Sequence, residues 1–174
     1  MMIEIRPIGN YLSQDENGFI VNDLTVDKIG EKWRAILEMS RNSFVQNLGE
    51  DLHGVYVRGS VARGMAIDGV SDLDMFALVK PTFSSERIRW QMADFQLAIA
   101  ENIKKKYDFV SDVEMVLATY DEDFVKSNLA MIVQTQSVLL FGEDISERLK
   151  NYKADESMML NHHWLEADIL DFVK

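Results

Sequence analysis

The chain has 174 residues, 47% hydrophobic and 27% charged, with no cysteine and a net charge of −11. That length suits one domain with a buried core, and the composition excludes a disordered tail. The absence of cysteine excludes disulfides and thiolate metal sites, and eighteen basic against twenty-nine acidic residues argue against a grip on long nucleic acid. The longest apolar runs, such as Met75–Val79, have five residues, too short to cross a membrane. The opening MMIEIRPIGN has an early glutamate and no apolar signal core, so the expected compartment is the cytoplasm.

Residues 1–24 read as a short strand or a loose arm. From Thr25 to Leu48, Val26, Ile29, Trp33, Ile36, Leu37, Phe44 and Leu48 recur at helical spacing, and Gly49 is a natural stop. HGVYVRG (53–59) is expected to be a buried strand, Ser60 to Ala66 a short helix, and SDLDMFALVK (71–80) a second strand closed by Pro81. Ser84 is placed to cap a long helix with Ile88, Met92, Phe95, Ile99 and Ile103 on one stripe. Its end carries the basic run at 104–106, which suits a helix C-terminus. SDVEMVLATY (111–120) gives a third strand, and a helix is expected from Asp121 to Leu140. A short amphipathic piece follows at Ile145–Leu149, and the tail from Ala154 reads as helical. The fold class predicted is α+β: a small mixed sheet with its acids on an open face and helices packed on the other. Residues 1–150 form the expected domain, with an N-terminal helical extension. Residues 151–174 form a C-terminal helix, rich in apolar residues and read as the start of a further helical domain in a longer chain.

The chemistry concentrates at RGSVARGMAIDGVSDLDMF, residues 58–76. Residues two apart on a strand share a face, so Asp72 and Asp74 point the same way while Leu73, Met75, Ala77 and Val79 point into the core. Two neighbouring carboxylates repel unless a cation sits between them, and a hard divalent ion such as Mg²⁺ takes oxygen ligands of this kind. Glu114 lies among Val113, Met115 and Val116, where an unpartnered acid is costly, and a metal shared with Asp72 and Asp74 is the economical partner. Asp112 shares its face and is the fallback. Gly59 and Ser60, between a strand and a helix, aim backbone N–H groups and one hydroxyl at a phosphate, and Arg63 is a further phosphate candidate. Arg58 reads as a structural residue. His53, His162 and His163 lack the i, i+4 spacing of a zinc helix and read as bystanders.

Gly59-Ser60, eleven residues, then Asp72-Leu73-Asp74 resembles the signature of the DNA polymerase β-like nucleotidyltransferase superfamily. The fuller GSVARG…SDLD resembles its small bacterial branch, the minimal nucleotidyltransferases and aminoglycoside adenylyltransferases. The resemblance covers about residues 50–120, and VLLFGEDI (138–145) is similar to a segment that often follows. It implies the polymerase β-like fold, with Gly59 and Ser60 as phosphate binders and Asp72, Asp74 and Glu114 as ligands of two Mg²⁺ ions. It also implies transfer of a nucleoside monophosphate, AMP from ATP, to a hydroxyl of a small molecule such as an aminoglycoside or of a protein. An apolar residue is common in the family where Arg58 stands. The alternative that the resemblance carries is an antitoxin-type module acting through a toxin partner, with a homo-oligomer as a further assembly.

Overall fold

The structure, a computed structural model, describes residues 12–83 and 85–155. The expected C-terminal helix and the cap at Ser84 lie outside them. Helix α1 (Glu31–Leu48) starts later than the apolar spacing suggests. A 3-10 turn at Val26–Lys28 ends with Ile29 in an extended conformation, and Gly30 stands at the helix N-cap, where glycine costs less than inside a helix. Strand β1 (Leu52–Val57) leads into α2 (Gly59–Ala62), which is shorter than expected. Gly64 ends that turn at φ +68°, and a Cβ there would sit 2.3 Å from the Lys28 carbonyl oxygen. The signature turn is thus pressed against the chain ahead of α1.

Strand β2 (Leu73–Val79) and strand β3 (Val113–Thr119) are parallel, joined through α3 (Ser85–Lys106), and β1 runs antiparallel to β2. A long crossover is what a parallel pair requires. The helix expected over 121–140 is three elements: a 3-10 turn at Phe124–Lys126, α4 (Asn128–Gln136) and strand β4 (Val138–Gly142). Ser127 caps α4 by accepting a hydrogen bond from the Ala130 N–H at 3.2 Å. Ser137 then turns extended, and β4 pairs antiparallel with β1, Val57 opposite Val138. The sheet order is β3-β2-β1-β4 among the described residues.

The alternation along β2 divides the interior. Leu73, Met75, Ala77 and Val79 pack with Trp33, Ile36 and Phe44 of α1 and with Ile99 and Ile103 of α3. Phe76 and Leu78 point to the other face, where Tyr56, Phe124, Ala130, Val133, Ile145 and Leu149 cover them. The acid-bearing face is therefore not open along its length, as the sequence reading had it. Helix α4 and the 3-10 turns cover it up to the rank of Phe76 and leave its end free. Residues 12–24 cross this region: Ile20 packs with Met131 and Tyr152, and the Asn22 amide donates to the Ser137 carbonyl at 2.8 Å.

Candidate active site

Strand pairing lines up three charged residues in one rank. Asp74 stands opposite Glu114 in the parallel register of β2 and β3. On the other side the Arg58 N–H donates to the Asp74 carbonyl at 3.0 Å, carrying the β1–β2 ladder one residue past β1. Directly opposite residues on one face of a sheet lie close enough for their side chains to meet. Here Arg58 Nη2 reaches Glu114 Oε2 at 3.1 Å and Asp74 Oδ1 at 3.4 Å.

Asp74 is the most enclosed of the acids, its side chain 16% accessible against 49% for Glu114. Burial pushes its carboxyl up to about 6; Arg58 opposes the rise, while a hydrogen bond to Glu114 and the charges of Asp72 and Glu114 add to it. Asp72 sits exposed just ahead of β2. Its turn is tied down by the Ile67 N–H donating to Ser71 Oγ at 2.9 Å and the Ser71 N–H donating to the Ile67 carbonyl at 2.8 Å.

Gly59 joins the turn to the acids. Its φ is +75°, and a Cβ built on it would lie 2.3 Å from Asp74 Oδ2. Only glycine leaves room for that carboxylate against the backbone of the turn. Ser60 follows as the second residue of α2, directly after Gly59.

Arg63 goes elsewhere. Its guanidinium donates to Gln136 Oε1 on α4, and it lines a cavity of about 320 Å³ with Lys28, Asp23, Met65 and Thr135. Asp112 is taken by Lys104 Nζ at 2.7 Å, and that contact holds its carboxyl below the usual range. It does not join the Asp74–Glu114 pair. His53 stacks on Tyr120 with ring centroids 4.5 Å apart, toward the opposite end of the sheet, and burial lowers its pKa. Sequence reading took Arg58 as structural and did not foresee that it pairs with both Asp74 and Glu114. The available signal was alternation: Arg58 lies two residues after Tyr56 and so shares its face.

The donor set suits a hard divalent cation in kind, since its members are all carboxylate oxygens and Asp74 is raised by burial first and then by its acidic neighbours. Among the described residues, however, no three acidic, histidine or cysteine side chains are gathered tightly enough to hold an ion as they stand. Arg58 supplies the positive charge instead.

No family model matches the chain, and neither does any curated protein. Among solved structures it is similar to spectinomycin adenyltransferase AAD(9) from Enterococcus faecialis with ATP and spectinomycin, at 15% identity and a TM-score of 0.50. That match covers 72% of this chain, which spans 62% of the enzyme's length. The toxin-antitoxin MntA-HepT structure matches at 18% identity and TM-score 0.41, over 80% of this chain and 97% of the matched one. A tri-AMPylated Shewanella oneidensis HEPN toxin in complex with MNT antitoxin matches at 19% identity and TM-score 0.37, over 78% and 97% respectively. The likeness to the adenyltransferase shows the fold, and the chain has the polymerase β-like nucleotidyltransferase fold.

Proposed function

We propose that this protein is a metal-dependent nucleotidyltransferase, moving a nucleoside monophosphate, AMP from ATP, to an acceptor hydroxyl. The observation that carries this reading is the contact between Gly59 and Asp74. A turn suited to phosphate and a carboxylate suited to a cation are built as one unit, with Glu114 alongside. The enzyme sharing the fold was solved with ATP, which supports ATP as the donor.

Asp72, Asp74 and Glu114 are the residues to hold Mg²⁺, one or two ions. Bound Mg²⁺ lowers the pKa of a hydroxyl and offsets the charge of the triphosphate. The turn at Gly59 and Ser60 receives the phosphates through backbone N–H groups and the Ser60 hydroxyl, orienting the α-phosphorus toward the acceptor. The acceptor oxygen forms the new bond to that phosphorus as the bond to the β-phosphate oxygen breaks. Pyrophosphate leaves with that bonding pair, and Glu114, half exposed at the rank's edge, takes the acceptor's proton.

A net charge of −11 favours a cationic small acceptor such as an aminoglycoside. A second reading, a protein acceptor or toxin partner, is favoured by the loop between turn and acids, where Met65, Ile67 and Val70 are 39%, 57% and 69% exposed. Incubation with Mg²⁺, each α-labelled nucleoside triphosphate and either an aminoglycoside panel or host lysate separates the two. Label on a small molecule supports the first reading and label on a protein the second. No transfer above that of the Asp72→Asn/Asp74→Asn protein under any condition contradicts nucleotidyl transfer.

A further inference from the structure

We infer that Arg58 is an exchangeable cation of this site: it neutralises Asp74 and Glu114 until a divalent ion arrives, then yields them and turns to the triphosphate. The inference rests on the nucleotidyl-transfer reading and adds a positioning residue to it.

The argument begins with the oxygens that Arg58 occupies. Its Nη2 lies 3.1 Å from Glu114 Oε2 and 3.4 Å from Asp74 Oδ1. A Mg²⁺ ion binds carboxylate oxygen at about 2.0–2.1 Å. The guanidinium thus holds one oxygen of each carboxylate, and an ion that bridges Asp74 and Glu114 through those two oxygens must displace it. Charge leads to the same result. Three acids, Asp72, Asp74 and Glu114, bear on the centre of this rank, and Asp74 is enclosed by the Gly59 backbone on one side. A cation there offsets their mutual repulsion, and the strand register delivers one from β1, Arg58. Arg58 is well suited to leave. Its side chain is 30% accessible, and its backbone stays anchored to the Asp74 carbonyl while the guanidinium moves. Because it precedes Gly59 directly, the released guanidinium is carried by the same turn that receives the phosphates, where its planar fork suits their oxygens.

Such an exchange has an uncommon signature: removing Arg58 must change affinity for the bare ion and for the ion–nucleotide complex in opposite directions. A merely structural arginine would not do this. The test titrates Mn²⁺, read by electron paramagnetic resonance, into wild type, Arg58→Met and Arg58→Lys, first alone and then in the presence of ATP. Arg58→Met is expected to bind Mn²⁺ alone about tenfold more tightly than wild type, the scale of one lost charged hydrogen bond, and to bind ATP with Mn²⁺ more weakly. Arg58→Lys should fall between, since an ammonium lacks the fork; it decides the question if Arg58→Met does not fold. Bare Mn²⁺ affinity equal to or below wild type in a folded variant overturns the exchange, as does a gain in affinity for both ligands. Those results leave the metal reading standing if wild type binds Mn²⁺ and Asp74→Asn does not. Failure of every protein to bind Mn²⁺, with or without ATP, overturns the metal reading and the exchange together.

Discussion

Two adjacent ranks on one face of the sheet have opposite characters. One holds Arg58, Asp74 and Glu114; the next, one step along each strand, holds Tyr56, Phe76 and Val116. Both are set by the same pairing. Phe76 is 1% exposed and stacks on Tyr56 with ring centroids 5.0 Å apart, under Phe124, Ala130 and Val133. The charged rank lies beyond that cover, reached from the protein side by the Gly59 turn. The apolar rank thus fixes the register, and the register delivers three charged side chains to one place. Stability should reside in the first and chemistry in the second, and substitutions in each can break that division.

The largest effect is expected in the apolar rank. Phe76→Ala should cost about 3–5 kcal/mol of folding free energy, the usual penalty for emptying an aromatic core site. Urea unfolding measures it, and a loss below about 1 kcal/mol would mean that this rank does not set the register.

Glu114→Gln, one strand over, should do the reverse. Transfer is expected to fall roughly a hundredfold while triphosphate affinity holds. Unfolding in EDTA should shift by less than about 1 kcal/mol, because the partly exposed pair with Arg58 contributes little. A melt lowered by many degrees would instead make Glu114 a structural ion pair.

Asp74 sharpens the comparison through pH. Its folded-state pKa is raised to about 6 from an ordinary 3.8, so the folded protein holds the proton more firmly than the unfolded chain. That advantage is complete at low pH and is lost as pH rises from about 4 through about 6, so metal-free stability should fall across this window. The expected loss relative to Asp74→Asn is on the order of 2 kcal/mol. Unfolding curves in EDTA at several pH values measure it; parallel wild-type and variant profiles would remove Asp74 as the strained acid.

The smallest effect belongs to the turn. Ser60→Ala should weaken triphosphate binding by about 1 kcal/mol, the value of one hydroxyl donor, with folding unchanged. Unaltered affinity would take the Ser60 hydroxyl out of the phosphate contacts.

Much of this arrangement was legible in the sequence where local pattern and tertiary structure agree. Alternation in SDLDMFALVK placed Leu73, Met75, Ala77 and Val79 in the core and Asp74 on the opposite face, and helical spacing found α1 from Trp33 onward. Strand β4 was not legible, because VLLFG follows α4 with only Ser137 between them, and a short apolar run beside a helix looks like more helix. The pairing of Arg58 with Asp74 and Glu114 was not legible, because it depends on the strands opposite rather than on its neighbours in sequence. Gly59 was read as making room for a phosphate, and the structure adds a nearer claimant, the Asp74 carboxylate. Arg63 was read as a phosphate candidate one turn beyond Ser60, and the structure adds a protein partner for it, Gln136 on α4.

The central claim is that turn and acids form one nucleotide site that needs a divalent ion. Calorimetric titration of ATP tests it directly, with Mg²⁺ or EDTA, into wild type and Asp72→Asn/Asp74→Asn. The account expects binding to wild type with Mg²⁺, and its loss both in EDTA and in the double variant. Equal affinity in all of these conditions would contradict it.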